Sequence, residues 1–413
     1  MISRRIFLQG SAILGCSAAA HPLMSSVTLA AAPGDRRLVV IILRGAMDGL
    51  DMVQPYGDPN LRAARPGFAI GPEAGAHDLD GFFALSPLLS DLMPLWSAGE
   101  LGFAQAVSTP YRDKRSHFDG QDMLEAGTGL DVPGEMRRDG WLNRLLQSMP
   151  GARAETAFSV GEQELPILAG AAPSMSWAPE ARLTLSGQGR ALLDHVYHDD
   201  PLFREAALEA MRITDADDPA MAVPEDEGEA EIEPSMMSSA QSPARQAATR
   251  SIEALAEFTA ERLRGETRIA AFSINGWDTH RGQAGLIRGP AASLSAAILT
   301  LRAHLGAVWG ETLVLAMTEF GRTLRENGTR GTDHGTGGAM VMAGGALRGG
   351  RVYGRWPGLA EADLYDRRDL MPTADIRSYA GWALRAMFGA DRALVEESIF
   401  PGLDLGADPG FLL

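Results

Sequence analysis

The chain has 413 residues, of which 45% are hydrophobic and 22% are charged, a composition typical of a globular protein with a large buried core. Its formal net charge of −16 disfavours nucleic acids and anionic membrane surfaces as partners. The length alone predicts one large domain or two.

Residues 1–30 resemble a twin-arginine export signal. Arg4 and Arg5 precede a short apolar run and a stretch of small residues that ends in TLAAAP. The apolar run is too short to persist as a membrane anchor. Cleavage after Ala30 would remove both arginines and change the net charge from −16 to −18. We therefore expect a periplasmic or secreted protein that uses the twin-arginine translocase and has no permanent membrane span.

Two other interpretations of this end remain open. Cys16 is the only cysteine and lies inside the predicted signal, so the mature chain would have no disulfide. The ILGC sequence around Cys16 loosely resembles a lipoprotein processing site, which is an alternative to cleavage after Ala30. The second alternative is an ordinary buried N-terminal helix.

Short apolar runs, rich in strand-favouring residues, recur along the chain. They lack strict alternation, which is the pattern of strands covered on both faces. Helical stretches precede the second, third and fourth runs, and this alternation predicts an α/β protein with a mainly parallel sheet. The runs are LVVIILRG (Leu38 to Gly45), LGFAQAVS (Leu101 to Ser108), RIAAFSING (Arg268 to Gly276), TLVLAMTEFG (Thr312 to Gly321) and AMVMAGG (Ala339 to Gly345).

One segment, Asp215 to Pro243, interrupts this alternation. It is acidic, rich in proline and serine, and has no usable apolar period. We expect a solvated, mobile insertion within a single domain of residues 31–413. An acidic docking surface is the alternative interpretation.

Acids and histidines follow or precede the apolar runs. Because ligands of such sheets bind beyond the carboxyl ends of the strands, we expect these side chains to converge. Clustered carboxylates repel one another, and a divalent cation removes the conflict. Carboxylate and imidazole donors without cysteine suit zinc, manganese, magnesium or calcium, and two ions about 4 Å apart could share such a set. The predicted metal ligands are Asp48, Asp278, His280, Glu319, Asp333 and His334.

Each of these motifs also has an ordinary structural interpretation. Asp48 is a good turn residue, and Asp278 is a candidate capping aspartate. Glu319 could pair with Arg322. The glycines of GTDHGTGG suit a loop that turns tightly, so that its imidazole reaches an ion.

The candidate catalytic residues are Ser108, Ser116 and His117. Ser108 stands at a strand exit, where an attacking group belongs, and Ser116 beside His117 would need a metal or a base for activation. The alternative for the serines is a helix N-cap. Arg44 and Arg322 could hold a substrate anion in bidentate fashion or neutralise nearby acids.

Several motifs together resemble an uncharacterised family, domain of unknown function number fifteen hundred and one. In chain order they are LRGAMDGLD, RSHFDGQDMLEAG, DGWLNRLL, GWDTH, TEFGRT and GTDHGTGGAMVMAGG. That family in turn resembles the alkaline phosphatase and sulfatase superfamily. The resemblance implies a three-layer sandwich around a central, mainly parallel sheet, with a two-metal site at its rim where Asp48 would be the first strand's metal aspartate.

The superfamily resemblance also implies roles for later residues. Asp278 and His280 resemble the Asp and His pair of one metal site, although the superfamily spaces them further apart. Glu319 resembles the aspartate of a DHG motif, but Phe320 follows it instead of histidine. His334 resembles the last metal histidine, and in an alternative register it forms the DHG pair with the aspartate before it.

The function that the resemblance implies is exported, metal-dependent hydrolysis of phosphate or sulfate esters. STPYR (Ser108 to Arg112) fits the loose sulfatase pattern Ser-x-Pro-x-Arg, with Tyr111 where a small residue is usual. A small anionic ester is then the expected substrate. The alternative is a catalytically silent exported binding or accessory protein that retains the fold.

Overall fold

The computed structural model describes residues 35–112, 114–129, 139–161, 165–177 and 243–413. The chain divides into one compact unit, Met1–Trp177 with Ala244–Leu413, and a second unit, Ala178–Pro243. The predicted export signal with Cys16, and all but the last residue of the predicted acidic insertion, lie outside the described residues.

A mainly parallel sheet forms the centre of the fold, as the alternation of strands and helices predicts. The strands among the described residues are β1 (Arg37–Leu43), β2 (Val53–Gln54), β3 (His77–Asp78), β4 (Ala84–Leu85), β5 (Leu101–Ser108), β6 (Ala157–Val160), β7 (Met175–Trp177), β8 (Ile269–Ile274), β9 (Thr312–Met317), β10 (Gly338–Ala343), β11 (Arg351–Tyr353) and β12 (Ala374–Asp375). The central order is β11-β5-β10-β9-β1-β8-β6-β7, with β12 beside β5. Strands β2, β4 and β3 form a separate small sheet.

Strand β10 runs against its neighbours, while the other pairs of the central sheet are parallel. It is antiparallel to both β5 and β9. The start of β10 therefore lies at the same edge of the sheet as the ends of β5 and β9. This edge is where the sequence predicts the functional residues.

Helices cover both faces of the sheet. The α-helices of the described residues are α1 (Gly49–Met52), α2 (Pro59–Ala64), α3 (Met93–Ser97), α4 (His117–Ala126), α5 (Trp141–Ser148), α6 (Pro243–Arg264), α7 (Gln283–Leu286), α8 (Arg288–Leu305) and α9 (Ile376–Phe388). Short 3-10 helices lie at Pro72–Ala74, Pro87–Leu92, Ala154–Thr156, Pro166–Leu168, Gly306–Glu311 and Glu361–Asp363, and a π-helix lies at Leu394–Ile399.

Strand β1 shows why the apolar runs lack alternation. All of its residues are buried. The even-numbered ones, from Leu38 to Ile42, join an apolar cluster with residues of α5 and α9. The odd-numbered ones, from Val39 to Leu43, join a second cluster with residues of α6 and α8. A strand with helices on both faces has no solvent-facing side, so every position from Leu38 to Leu43 is apolar.

The segment predicted as one helix before β5 is broken in two. Pro87–Leu92 forms a 3-10 helix in which Leu89 has a non-helical φ of −113°, and α3 follows it. Pro94 lies in the first turn of α3, where its missing N–H is tolerated. The five predicted strands are confirmed, whereas the missed ones are short and so give a weak sequence pattern.

One continuous helical stretch among the described residues, Gln283–Glu311, is long and apolar enough to cross a membrane by length and composition. Its buried residues Leu294, Ile298 and Leu301 belong to the second apolar cluster, with the odd-numbered residues of β1. This packing against the sheet is typical of a core helix.

Candidate metal centre

Three histidines and one aspartate meet at the carboxyl edge of the sheet. His117 is the first residue of α4, Asp278 and His280 follow β8, and His334 precedes β10. One donor atom each from His117, Asp278 and His334 lie within 4.8 Å of one another. The Nε2 atom of His280 lies 2.8 Å from Nε2 of His334. These four residues are called the His–Asp cluster below.

Each imidazole of the cluster is held through Nδ1 by an oxygen atom. A carboxylate or backbone carbonyl only accepts hydrogen bonds, so these contacts assign the proton of the neutral ring to Nδ1 and leave the Nε2 lone pair free. This arrangement is the usual one behind metal-bound histidines. The contacts are His117 to Oε1 of Glu319 at 2.7 Å, His280 to Oδ1 of Asp333 at 3.2 Å, and His334 to the carbonyl oxygen of Arg115 at 2.9 Å.

The free Nε2 atoms converge on the carboxylate of Asp278. That of His280 lies 3.1 Å and that of His334 lies 3.3 Å from Oδ1, while that of His117 lies 3.4 Å from Oδ2. The His117 atom is buried and has no hydrogen-bond partner among the described residues. Lone pairs that face one another and a carboxylate are unfavourable unless a cation or a proton lies among them. The donor atoms of His117, Asp278 and His334 lie close enough together to share a divalent cation, and Nε2 of His280 lies beside them.

Neighbouring groups set the protonation of the cluster. A hydrogen bond from the ring to Glu319 raises the pKa of His117, whereas burial lowers the pKa of His334. Burial alone would raise the pKa of Asp278, but the hydrogen bond and charge of Arg322 lower it overall. Asp278 is therefore ionised at neutral pH. Protons compete with a cation for the histidines, so the cation affinity should rise with pH.

Arg322 is a buried residue that positions the cluster, and our expectation that it holds a substrate anion is corrected. Its guanidinium donates to Oδ1 of Asp278 at 2.7 Å and to the backbone carbonyls of Ala46 and Trp277 at 2.8 and 3.0 Å. The side chain is 0% exposed. Its donors are directed to the protein itself, and its contact with Asp278 turns that carboxylate towards the histidines.

Arg44, the other arginine expected to bind substrate, is also engaged internally. It donates to Oε1 of Gln121 at 2.8 Å and to Oε1 of Glu125 at 2.7 Å. Glu125 is itself buried, and burial raises the pKa of its carboxyl. Arg44 therefore neutralises a buried acid, which is the alternative role that the sequence left open.

Glu319 orients a ligand instead of being one, which corrects the sequence prediction. The carboxylate is buried, and Oε1 accepts from the backbone N–H of Gly45 at 2.9 Å, in addition to the ring of His117. Oε2 lies 2.9 Å from the hydroxyl of Thr318. Burial raises the pKa of Glu319, but these hydrogen bonds lower it overall. The carboxylate is thus ionised and occupied behind His117.

Replacing Glu319 with glutamine should weaken cation binding without removing a ligand. The amide oxygen can still accept from His117, but it lacks the charge that supports the ring, so we expect an affinity loss of about 10- to 100-fold. Competition against a coloured chelator measures this loss. Glu326→Gln is the matched control, because that carboxylate is exposed and accepts from Gly67. Equal affinities for the two variants would contradict the assigned role.

Asp333 has the same orienting role towards His280, and it too is reassigned from the predicted ligand set. Its Oδ1 accepts from the ring of His280 and from the side chain of Asn327 at 3.0 Å. The hydrogen bond from Asn327 is the main cause that lowers the pKa of Asp333. The carboxylate thus fixes the ring from the side opposite to Nε2.

Asp48 lies in a separate buried network, so the prediction that it binds metal is corrected. Its carboxylate accepts from the guanidinium of Arg65 at 2.8 and 3.1 Å and from the amide of Gln283 at 2.7 Å. It also caps α1 by accepting from the N–H of Leu50 at 3.1 Å. Among the described residues, its hydrogen bonds include no member of the His–Asp cluster. The turn interpretation of Asp48 was the better one.

Asp51, beside this network, gives a pH-dependent prediction. Burial, with the nearby charge of Asp48, raises the pKa of the Asp51 carboxyl to about 6. The folded state then binds this proton more tightly than the unfolded state, so its stabilising contribution is present at acid pH and lost as pH rises from about 4 to 6. Asp51→Asn lacks the titrating carboxyl. We therefore expect the free energy of unfolding of this variant, minus that of the unsubstituted protein, to increase by about 1–3 kcal/mol from pH 4 to pH 7.5. Urea denaturation at both pH values measures it; a difference independent of pH would contradict the assignment.

Neither candidate serine contacts the cluster through its hydroxyl in the described residues. Ser116 is the N-cap of α4, and its Oγ accepts from the N–H of Asp119 at 3.4 Å. Ser108 is buried at the end of β5, where its hydroxyl donates to the carbonyl of Thr109 at 3.0 Å. These contacts give both serines structural roles, and their predicted roles as attacking groups stay predictions. His117 belongs to the ligand set instead of to a serine-based pair.

The glycines of the GTDHGTGG loop serve close packing instead of a tight turn. Neither Gly331 nor Gly335 has a positive φ. A Cβ on Gly335 would lie 2.4 Å from the backbone carbon of Arg322, and one on Gly331 would lie 2.4 Å from that of His280. Only glycine lets the loop lie against these two segments. The close contact places His334 beside Asp278.

Gln121 and the carbonyl of Arg115 also hold the site, and neither is among the residues predicted from the sequence. Gln121 donates from Nε2 to Oε1 of Glu319 at 3.1 Å. It follows His117 by four residues on α4, a spacing that puts both side chains on one helix face, so this contact could have been predicted. The backbone contact of Arg115 has no signal in the side-chain pattern.

Comparisons with known proteins place the chain in a family. The curated proteins give no match. Among solved structures, the lipoteichoic acid synthase LtaP from Listeria monocytogenes matches with 9% sequence identity and a TM-score of 0.32, over 72% of this chain and 59% of that chain. This chain therefore spans about three fifths of that structure. A family model described as Protein of unknown function (DUF1501) matches residues 97–388. The match spans most of the chain and confirms the family that the motifs predict: the chain belongs to the family Protein of unknown function (DUF1501).

Proposed function

We propose that this protein is a metal-dependent hydrolase of phosphate or sulfate esters. The observation that carries the proposal is the convergence of three Nε2 lone pairs on the Asp278 carboxylate, with each opposite Nδ1 held by an oxygen atom. A structural role for the histidines alone would not require their lone pairs to face one another. The resemblance of the motifs to the alkaline phosphatase and sulfatase superfamily supports the choice of ester.

The ligand set supports one divalent cation with residual positive charge. Asp278 contributes one negative charge and the imidazoles are neutral ligands, so a divalent ion keeps about one net positive charge near the site. Such an ion, when bound, polarises an ester oxygen as a Lewis acid. Asp278 and His280 are 45% and 42% exposed, which makes their side of the cluster the side of approach for a substrate.

The protein's own groups would hold this arrangement during the reaction. Arg322 fixes Asp278, and the carboxylates of Glu319 and Asp333 hold two of the rings. Phe320 closes one side, with its ring centroid 5.2 Å from that of His117 and 5.2 Å from that of His334. This buried ring excludes water there, so the electrostatic interactions of the cluster are stronger than in solvent. Because both candidate serines have structural contacts, we propose water as the attacking group.

A second candidate function is a catalytically silent exported binding protein. The observation that favours it is the engagement of Ser108 and Ser116 in structural hydrogen bonds, which leaves the cluster without either proposed nucleophile. Such a protein would bind the cation and lack turnover. Export itself is a proposal that rests on the sequence of residues 1–30, outside the described part of the chain.

Elemental analysis of the purified protein, followed by a panel of phosphate and sulfate esters with and without chelator, separates these functions. The hydrolase proposal predicts bound metal and hydrolysis that chelator removes and added metal restores. Bound metal with no hydrolysis on any ester supports the silent protein. A preparation that binds no divalent cation at any pH above 7 contradicts both.

Alanine at Ser116 should affect stability and leave the chemistry intact. Loss of the N-cap of α4 should cost about 1 kcal/mol. We expect a lowered midpoint in urea and an unchanged kcat on any ester that the protein hydrolyses. Ser108→Ala is the companion variant, also expected to keep kcat. If either substitution abolishes turnover while the metal content stays at the level of the unsubstituted protein, the proposal that water attacks is wrong.

A further inference from the structure

An anionic substrate needs an accessible cation beside the cluster, and the two arginines first expected there do not provide it. Arg322 is buried and bonded to Asp278, and Arg44 is bonded to Glu125. The cation required is one that contacts the cluster and still faces solvent. Arg115 and Arg368 both contact His334.

Arg115 touches the cluster through its backbone. Its carbonyl oxygen accepts from Nδ1 of His334 at 2.9 Å, and its φ is +55°, in the left-handed region. For a residue with a side chain this conformation is strained, and such strain is concentrated at functional sites. The strained backbone both orients the ring of His334 and fixes where the side chain of Arg115 begins.

The side chain of Arg115 is exposed. In the part of the chain that the structure describes, its guanidinium has no hydrogen bond or ion pair. Burial raises the pKa of the Asp369 carboxyl, and the nearby positive charge of Arg115 opposes that rise. An arginine with free donors, whose backbone is anchored to the metal centre, is suited to bidentate binding of an oxyanion.

Arg368 adds a second, fixed positive charge. Its Nη2 donates to the backbone carbonyl of His334 at 2.7 Å, and its Nη1 lies 3.3 Å from Oδ1 of Asp369. Within the described residues this buried Nη1 has no hydrogen bond of good geometry. Arg368 is thus tied to the loop of His334, whereas Arg115 keeps its donors for solvent.

We propose that Arg115 binds the anionic group of the substrate, a tetrahedral phosphoryl or sulfuryl oxyanion, next to the cation of the His–Asp cluster. The inference rests on the proposed metal centre and adds the residue that confers preference for an anion. Arg368 positions the loop and contributes charge. Arg44 and Arg322 take no part in binding the substrate.

Titration calorimetry of the metal-loaded protein with inorganic phosphate, and separately with inorganic sulfate, tests this. We expect Arg115→Gln to weaken anion binding by about 10- to 100-fold, the value of a charge-assisted bidentate pair, with unchanged metal content. Arg115→Lys should recover part of the loss. Arg367→Gln is the matched control, because Arg367 also has a positive φ, at +52°, and is 81% exposed but faces Glu361.

The outcomes separate this inference from the proposed function. If the protein binds metal but neither phosphate nor sulfate, the anion proposal fails while the metal centre stands. If Arg115→Gln binds the anions as tightly as the unsubstituted protein, or if it loses the metal, the assignment of Arg115 is wrong. If the protein binds no metal, the proposed function is wrong, and the anion site that rests on it is wrong as well.

Discussion

The His334→Gln variant is expected to bind a divalent cation about 100- to 1000-fold more weakly than the unsubstituted protein. Removal of one ligand among four forfeits about a quarter of a total binding free energy that is typically 10–16 kcal/mol for such sites. His334 is the central residue of the cluster, since its Nε2 faces both His280 and Asp278. Chelator competition at pH 8 measures the change.

A matched variant makes this result specific. His304 lies on α8, where its Nε2 is 3.6 Å from the carboxylate of Glu257, and it contacts no member of the cluster. His304→Gln should keep the affinity of the unsubstituted protein. Metal should also raise the melting temperature of the control and not of His334→Gln, because a ligand stabilises the state that binds it. Equal affinities for the two variants would show that the histidines serve another purpose.

Asp48→Asn is expected to destabilise the fold by about 3–5 kcal/mol, because it leaves the buried guanidinium of Arg65 without its charged partner. Arg65 and Asp48 are 1% and 0% exposed, and their atoms lie 2.8 Å apart. The asparagine can still cap α1, so the loss of stability reports the removal of the charge alone. Urea denaturation gives the free energy of unfolding.

The comparison for Asp48 is a surface ion pair. Glu311 lies 2.9 Å from Arg36, and both side chains are partly exposed. Glu311→Gln should change stability by about 0–1 kcal/mol. Asp48→Asn should also keep full metal affinity, because Asp48 lies outside the cluster. A variant that loses metal but remains as stable as the unsubstituted protein would restore Asp48 to the ligand set.

The sheet could be predicted because its signal is local. A strand covered on both faces is apolar over a continuous run, as in Leu38 to Leu43 of β1, and such a run can be recognised without knowing its neighbours. The short strands β6, β7, β11 and β12 have few residues, so their pairing depends on tertiary contacts that no local pattern records.

The location of the site was also predictable, whereas the roles of its residues were not. Acids and histidines at strand ends converge because parallel strands end at one edge. Whether a carboxylate binds metal or holds a ring depends on distances of a few ångström between segments far apart in sequence. Glu319 and Asp333 hold histidine rings, whereas Asp278 is a proposed metal ligand. Nothing in the sequence immediately around these three residues distinguishes the two roles.

The roles of the arginines near the cluster could not be predicted from local sequence either. Arg322 and Arg115 are both near the cluster, and both precede or follow polar loop residues in the sequence. Burial decides between them: Arg322 donates to carbonyls inside the protein, while Arg115 remains exposed. Burial of a loop residue depends on how the loop packs, which for GTDHGTGG depends on glycines that admit close backbone contact.

The most direct measurement is anomalous diffraction at a metal absorption edge, from crystals of the protein grown with a divalent transition metal such as zinc or manganese. The proposed metal centre predicts one peak, about 2.0–2.3 Å from Nε2 of His117, His280 and His334 and from a carboxylate oxygen of Asp278. Absence of a peak there, or a peak ligated by Asp48 and Glu319 instead, would contradict it.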